Sequence, residues 1–296
     1  MDGTRIHLIE RAAVQLDHMA ILASATAAPA AVAEFAERVR PFNDAALTVE
    51  QGKTSAGRSR LVIERATLER AGTVDWDASS NRVAEEFRIV SLEVLRRSLA
   101  PDQDGLSGSN LIMITSALPG EGKSFTALNL AVGIARSGKQ PVLLVDADGK
   151  TGSLSDLLLG GSGAPGLIDL AADGRIEASD LIVQSRVSNL EFLPFGSGAA
   201  NRAGVLGNLA GVVEDLGRRV DRLIVFDVPP CLSTSRPHLL APVVGQAVLV
   251  VAAASTQQND IEAALGLIQS CPGVSLLLNK LSQWNAHSFG SYAYSS

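Results

Sequence analysis

The sequence contains little of what several protein classes require. Its 296 residues include only two cysteines, Cys231 and Cys271, so we expect neither a disulfide framework nor a zinc site. No stretch reaches the roughly 18 consecutive apolar residues that a membrane-spanning helix needs. The first residues also lack the pattern of a signal peptide. These absences predict a cytoplasmic protein that is peripheral to the inner membrane only through a partner.

Positive charge is also scarce. The 25 lysines and arginines are outnumbered by 31 aspartates and glutamates, which gives a net charge of −6 and an isoelectric point near 5.3. Because nucleic-acid binding relies on clustered positive charge, this balance argues against a nucleic-acid partner. Apolar residues make up 46% of the chain, which is enough for a buried core. The length fits one large α/β domain, alone or with a small N-terminal appendage.

The composition separates a main domain from the region that precedes it. Residues 1–80 are predicted to be helical and flexible, with an amphipathic helix at 6–23 and a polar linker at 41–60. Residues 81–280 are predicted to form the main domain, which begins with a helix near 82–99.

Short apolar runs alternate with helical patterns from residue 111 onward. The run at 111–115 is typical of a strand buried on both faces of a parallel sheet, and a helix is predicted at 123–136. Further strands are predicted at 142–145, 190–193, 223–226, 247–251 and 274–278. This alternation predicts an α/β fold, in which a mostly parallel sheet carries helices on both faces.

A glycine-rich turn follows the first of these strands and opens the next helix. It reads Ala117-Leu-Pro-Gly-Glu-Gly-Lys-Ser124 and matches the phosphate-loop template G-x-x-x-x-G-K-[ST] except at its first position. Gly120 and Gly122 let backbone N–H groups face a phosphate at a helix N-terminus. Lys123 can reach the β- and γ-phosphates, and the Ser124 hydroxyl can bind Mg²⁺. The sequence therefore predicts a P-loop NTPase fold that binds ATP and Mg²⁺.

The residues predicted to bind the nucleotide include the turn and one later asparagine. They are Pro119, Gly120, Glu121, Gly122, Lys123, Ser124, Phe125 and Asn279. The side-chain amide of an asparagine that follows a strand can bond to an adenine edge. An ordinary turn asparagine is an equally good interpretation of Asn279.

Acidic residues follow two of the predicted strands. Asp146 and Asp148 come after one apolar run, and Asp227 comes after another. Ligands of open α/β sheets bind beyond the carboxyl ends of the strands, so we expect these carboxylates near the phosphate loop. Ser124, Asp148 and Asp227 are predicted to hold Mg²⁺. Lys123, Asp146 and Asp148 are predicted to be catalytic, with Asp146 accepting a proton from an attacking hydroxyl; each acid taken alone could instead cap a helix.

The chain contains just two tyrosines, Tyr292 and Tyr294, and both lie near its C-terminus. Residues 281–296 include no Asp, Glu, Lys or Arg, and we expect them to form a mobile tail. A mobile phenol beside an ATP site is a candidate phosphoryl acceptor. An inert terminus is the alternative interpretation.

These motifs together resemble those of the bacterial tyrosine kinases (BY-kinases) of polysaccharide synthesis and export. That family has a phosphate loop of the A-x-P-G-x-G-K-S type, matched by residues 117–124. Its D-x-D-x-R motif is matched at Asp146 and Asp148, and its D-x-P-P motif is matched by residues 227–230. Residues 8–13 and 84–90 are similar to the exosortase-associated branch of the family.

The resemblance implies an activity and partners. It implies an ATP-dependent protein-tyrosine autokinase that phosphorylates Tyr292 and Tyr294 in trans and regulates exopolysaccharide or capsule synthesis and export. It also implies a membrane-embedded activator of the polysaccharide chain-length or co-polymerase type, and a homo-oligomer. The alternatives are a catalytically weak ATP-binding switch or adaptor of an export complex and, less favoured, a partitioning-type ATPase of the ParA and MinD kind. Partitioning ATPases carry an early lysine in the phosphate loop, where this chain has Leu118.

The sequence departs from the BY-kinase pattern at three places, one of which is the tail, where it has two tyrosines and many relatives have more. The arginine expected after the second acid of the D-x-D-x-R motif is Lys150, which keeps the charge but loses the planar fork. The family's E-x-x-R-x-x-R helix, which helps to assemble a ring of protomers, reads Glu85-x-x-Arg88-x-x-Ser91 here.

Overall fold

The structure, a computed structural model, describes residues 61–281 except 79–80, 99–109, 139, 162, 198–201, 219–220 and 254. The predictions for the helix at 6–23, the linker at 41–60 and the two tyrosines lie outside the described residues. Within the described residues, no helix is both long and apolar enough to cross a bilayer.

The described residues form an eight-stranded sheet with helices between the strands. The strands are β1 (Val62–Ile63), β2 (Leu111–Ser116), β3 (Val142–Asp146), β4 (Val183–Ser185), β5 (Leu190–Leu193), β6 (Leu223–Asp227), β7 (Gln246–Ala252) and β8 (Gly273–Asn279). The helices are α1 (Arg65–Arg70), α2 (Arg82–Ser98), α3 (Lys123–Arg136), α4 (Leu154–Leu159), α5 (Leu167–Ala172), α6 (Ala178–Leu181), α7 (Arg202–Gly217), α8 (Arg236–Leu240) and α9 (Gln258–Leu267).

The sheet order confirms the predicted α/β class. The strands lie in the order β1-β4-β5-β3-β6-β2-β7-β8, and every neighbouring pair is parallel except the antiparallel pair of β4 and β5. Every residue of the central strands β2, β3, β6 and β7 is buried, because helices cover both faces of the sheet. All six strands predicted from apolar runs are present. The short strands β1 and β4 were not predicted.

Strand β1 brings part of the predicted N-terminal region into this sheet. Its pairing with β4 places residues 62–63 at one edge. The segment after α1 then lies along α3, where the Asn129 side chain accepts a hydrogen bond from the Val74 amide (2.8 Å) and donates one to the Gly72 carbonyl (3.1 Å). The described domain therefore begins before residue 81.

Helix α2 packs against α3 and carries the motif predicted for ring assembly. Glu85 and Arg88 form an ion pair with each other, and Arg88 also donates a hydrogen bond to the Trp76 carbonyl (3.1 Å). Ser91 is buried, and its hydroxyl lies 2.7 Å from where a Cβ on Gly133 of α3 would be. The position of the family's last arginine is thus occupied here by a buried serine packed against α3.

The order of the central strands creates a crevice at their carboxyl ends. The chain passes from β2 to β3, while β6 lies between them. Helix α3 leaves the end of β2 on one side of this arrangement. Crevices of this type are where open α/β sheets bind ligands, because strand ends, loops and helix N-termini meet there. The phosphate loop and the acidic strand ends are thereby brought together.

Candidate nucleotide-binding site

The phosphate loop runs from the end of β2 into the first turn of α3. Gly120 and Gly122 have φ angles of 84° and 98°, which side chains rarely adopt. A Cβ on Gly122 would also lie 2.1 Å from Nδ2 of Asn279. Glycine is therefore required at residue 122, and the loop can present backbone N–H groups at a helix N-terminus, as a phosphate site requires.

Lys123 is the charged centre of the site and is only 4% exposed. Its Nζ lies 2.5 Å from Oδ2 of Asp148, 3.2 Å from Oδ1 of Asp227 and 3.1 Å from Oγ of Ser124. Burial alone would lower the pKa of the ammonium, but the two carboxylates outweigh it and the pKa lies above its usual value. Four predicted site residues thus lie together, although they follow the ends of three different strands. They are Lys123 and Ser124 after β2, Asp148 after β3 and Asp227 at the end of β6.

Asp227 is completely buried at the end of β6. Lys123 binds its Oδ1, but no described residue hydrogen bonds to its Oδ2. Burial raises the pKa of this carboxyl from 3.8 to about 6, against the opposing effect of the Lys123 charge. A buried carboxylate oxygen without a partner is costly, so it is a natural place for a ligand to bind.

Asp148 faces the same lysine from the loop after β3. Its Oδ2 also lies 3.0 Å from Nζ of Lys150, a half-exposed side chain at the mouth of the site. Although burial raises the pKa of Asp148, the two lysines outweigh it and hold the pKa below its usual value. Lys150 therefore occupies the charge position of the family's arginine.

Asp146 points into the loop instead of toward Lys123. Its Oδ1 accepts the amides of Asp148 (3.0 Å) and Gly149 (3.2 Å), and its Oδ2 accepts the amide and hydroxyl of Ser155 (2.8 and 2.7 Å). Four donors satisfy this fully buried carboxylate. To accept a proton from a substrate, as predicted, Asp146 would first have to release one of these donors.

The phosphate loop is also tied to the ends of β7 and β8. Oε2 of Glu121 accepts the Leu118 amide (2.7 Å), and Oε1 accepts the Thr256 hydroxyl. Asn279 donates to the Glu121 carbonyl (2.9 Å), and Lys280 donates to the Gly120 carbonyl (2.6 Å). The side chain of Glu121 thus shapes the loop. Sequence reasoning assigned no role to Thr256 or Lys280, because neither belongs to a motif.

Pro119 and Phe125, which were also predicted to bind the nucleotide, lie in different environments. Pro119 is exposed in the phosphate loop. Phe125 packs edge-on against Phe87 of α2, with ring centroids 5.7 Å apart. The side chain of Phe125 therefore contributes to the helix packing while remaining 36% exposed.

The donor set fits a hydrated magnesium ion and not a metal caged by protein. Within the described residues, no group of three His, Cys, Asp or Glu side chains could enclose a metal ion. Mg²⁺ usually keeps several waters and takes only one or two carboxylates together with substrate phosphates. Three buried carboxylates against two lysines leave the site with an excess of negative charge, and the unpartnered Oδ2 of Asp227 adds a free acceptor. The residues therefore fit Mg²⁺ bound together with a nucleotide.

Part of this chain is similar in sequence to known proteins. No protein-family model matches the chain. Tyrosine-protein kinase YwqD of Bacillus subtilis is 30% identical over 162 residues, which are 54% of this chain and 67% of YwqD. EpsB of Ralstonia nicotianae is 34% identical over 192 residues, which are 64% of this chain and 25% of EpsB. The chain thus spans about a quarter of the length of EpsB and of several similar relatives.

Solved structures and a second group of relatives complete the comparison. The VpsO kinase domain has a TM-score of 0.53 and 31% identity, and the match covers 66% of this chain and 95% of that domain. The septum site-determining protein MinD of a Synechocystis species is 30% identical over 177 residues, which are 58% of this chain and 65% of MinD.

Proposed function

The chain belongs to the family of bacterial tyrosine kinases, and on that premise we propose that it is an ATP-dependent protein-tyrosine autokinase. The observation that carries the proposal is the buried Lys123 ammonium, held between Asp148 and Asp227 at the start of the phosphate-loop helix. This arrangement offers a cation for phosphate oxygens beside carboxylates that can hold a metal ion.

The residues of the loop bind and orient the nucleotide. The amides of Gly120 and Gly122 and the N-terminus of α3 receive phosphate oxygens. Lys123 exchanges a carboxylate partner for the β- and γ-phosphates. Ser124, Asp148 and Asp227 are the residues that would hold Mg²⁺, which supplies positive charge that neutralises the phosphates during transfer.

The proposed acceptors are the tyrosines of a neighbouring protomer. Tyr292 and Tyr294 are the only phenols in the chain. Asp146 is the proposed acceptor of the phenolic proton, at the cost of one of its four hydrogen bonds. Each phosphotyrosine adds about −1.5 to −2 charges at neutral pH, enough to weaken an assembly of an already acidic chain.

The wider role is proposed from the family. We assign the kinase to the regulation of exopolysaccharide or capsule synthesis and export, in the exosortase-associated branch. Its activator is proposed to be a membrane-embedded chain-length or co-polymerase protein, which would recruit the kinase to the inner membrane from the cytoplasm.

Labelled ATP, Mg²⁺ and a phosphotyrosine readout test the kinase proposal, with and without candidate activator peptides. The unchanged chain should form phosphotyrosine, and Lys123→Met should reduce it to background because the phosphates lose their buried cation. Tyr292→Phe combined with Tyr294→Phe should also remove it while leaving ATP affinity unchanged. Ser295→Ala with Ser296→Ala is the control in the same tail.

A mixture of the two inactive variants tests transfer in trans. The Lys123→Met chain supplies acceptors, and the double phenylalanine chain supplies an intact site, so the mixture should regain phosphotyrosine. Label on another residue type in the double phenylalanine variant would show that the acceptor assignment is wrong.

The similarity to MinD favours one second candidate, a nucleotide-dependent switch. A switch would hydrolyse or retain ATP without forming phosphotyrosine, even in the mixture of variants. Leu118 stands where partitioning ATPases carry their early lysine, which argues against their specific mechanism. DNA binding at low salt would favour a partitioning-type ATPase again.

A further inference from the structure

Arg236, the first residue of α8, reaches the loop that carries Asp148. Its Nη1 donates hydrogen bonds to the carbonyl of Ala147 (2.9 Å) and to the carbonyl of Asp148 itself (2.6 Å). These carbonyls belong to the two peptide units on either side of the Asp148 Cα, from which the carboxylate side chain projects. A guanidinium that binds both carbonyls restricts rotation of these two peptide units.

An aromatic ring supports the same arginine. The guanidinium lies over the ring of Phe195, 5.1 Å from its centroid. Gly149 also lies against that ring, since a Cβ on Gly149 would be only 2.2 Å from a ring carbon. Gly149 also has a φ of 60°. The loop that carries Asp148 and Gly149 therefore turns tightly against one part of the Phe195 ring, and Arg236 contacts the same ring.

The inner side of the loop is held by different groups. Asp146 binds the amides of Asp148 and Gly149, while the Ser155 hydroxyl donates to Asp146 and accepts the Phe195 amide (2.8 Å). The amides of Asp148 and Gly149 are thus bound by Asp146, and the carbonyls of Ala147 and Asp148 are bound by Arg236. Removing Arg236 would free the carbonyl side and leave the amide side intact.

We propose that Arg236 is a positioning residue, which holds the loop so that the Asp148 carboxylate faces Lys123 and the metal-nucleotide site. The proposal rests on the proposed function, because it assigns Asp148 to that site. Arginine suits this position because Nη1 alone can donate to both carbonyls while the planar guanidinium lies over the ring, whereas a lysine ammonium has no planar group to lay on the ring. The residue belongs to none of the motifs from which the site was predicted.

Hydrogen exchange of the nucleotide-free full chain is the first test. Arg236→Gln should accelerate exchange in the peptide covering residues 147–153 by about tenfold or more, as expected for the loss of one to two hydrogen bonds. Arg236→Lys should give an intermediate rate, because it retains a donor but not the stacking. The control is Arg175→Gln, since Arg175 is a 90% exposed arginine that pairs with Asp173.

The magnesium dependence of ATP binding is the second test. By calorimetry, Arg236→Gln should raise the Mg²⁺ concentration for half-maximal effect about tenfold, as loss of an outer positioning partner does. Its affinity for ATP without Mg²⁺ should stay within about twofold, because the phosphate loop is untouched. Phe195→Leu keeps the arginine but removes the ring. It should also accelerate exchange in residues 147–153 and raise the Mg²⁺ concentration for half-maximal effect, but by less than Arg236→Gln does.

Two outcomes would overturn the proposal. Unchanged exchange in residues 147–153 would show that Arg236 does not hold the loop. Exchange accelerated equally in the strands of the sheet would assign Arg236 to general stability. Neither outcome depends on phosphotyrosine, so absence of kinase activity in the unchanged chain would contradict the proposed function and leave this result standing.

Discussion

Strands β3 and β6 end in two aspartates that are neighbours in the sheet but differ in how they are bound. Asp146 and Asp227 are paired across the two strands, and each is fully buried. Asp146 accepts two hydrogen bonds from the turn that follows it and two from Ser155 in α4. Asp227 binds Lys123 through one oxygen, and its other oxygen has no partner among the described residues.

The difference separates a carboxylate with four donors of its own from one that has an oxygen without a partner. The donors of Asp146 are the amides of Asp148 and Gly149 and the amide and hydroxyl of Ser155, so they are present whether or not a nucleotide is bound. Asp227 is followed by Val228-Pro229-Pro230, and its neighbours donate nothing to the second oxygen. Since a buried charge without full compensation is costly, Asp227 destabilises the fold, and its free oxygen is the acceptor that we propose for Mg²⁺.

The largest expected effect on stability comes from neutralising Asp146, the carboxylate with four donors. Asp146→Asn keeps the shape but turns an amide NH₂ toward backbone or hydroxyl donors, so at least two charge-assisted hydrogen bonds are lost. We expect the free energy of unfolding to fall by about 3 kcal/mol. Urea denaturation of the nucleotide-free protein measures this change. A loss no greater than that of Asp227→Asn would remove the distinction between the two acids.

The same substitution at Asp227 should affect ligand binding more than the stability of the fold. Asp227→Asn should weaken Mg²⁺-dependent ATP binding by about 10- to 100-fold. At pH 7 it should leave the unfolding temperature unchanged or raised, because it removes a buried charge. Calorimetric titration with and without Mg²⁺, beside a thermal scan, measures both. Full retention of Mg²⁺-dependent affinity would show that Asp227 does not contribute to the site.

The last prediction concerns pH. Because burial raises the pKa of Asp227 from 3.8 to about 6, the folded chain retains a proton that the unfolded chain has released. The stability from this group is fully present below pH 4 and is lost as pH rises toward 6, by at most about 1.4 kcal/mol per pH unit. Denaturation at pH 4, 5 and 6 should show a smaller decline in Asp227→Asn than in the unchanged chain. Equal slopes would contradict the raised pKa.

Much of the fold could be predicted from local sequence. The central strands are continuous apolar runs because helices cover both faces, and this gave six strands and helix α3. Strand β1 has two residues and β4 has three, too few for any periodicity to appear. Strand β1 depends on pairing with β4, which is distant in the chain, and β4 pairs both with β1 and with the nearby β5. Pairing between distant segments is not encoded in a local pattern.

The site was predictable to the extent that its residues belong to contiguous motifs. Gly122, Lys123 and Ser124 follow from one motif, and Asp148 and Asp227 follow from two strand ends. The orientation of Asp146 was not predictable, because the same letters fit a carboxylate that faces the nucleotide or its own loop. Arg236 was missed for a different reason, since its two contacts lie almost ninety residues away in the chain.

The amino-acid sequence alone determined the sheet class, the phosphate loop and the family, because apolar periodicity and a contiguous glycine-rich turn are local properties of a chain. Tertiary structure decided which buried acid is compensated and which retains a free oxygen, and which distant side chains hold the two loops. Those outcomes depend on the directions in which donors point once the strands are aligned, and side-chain direction is fixed only when the core packs.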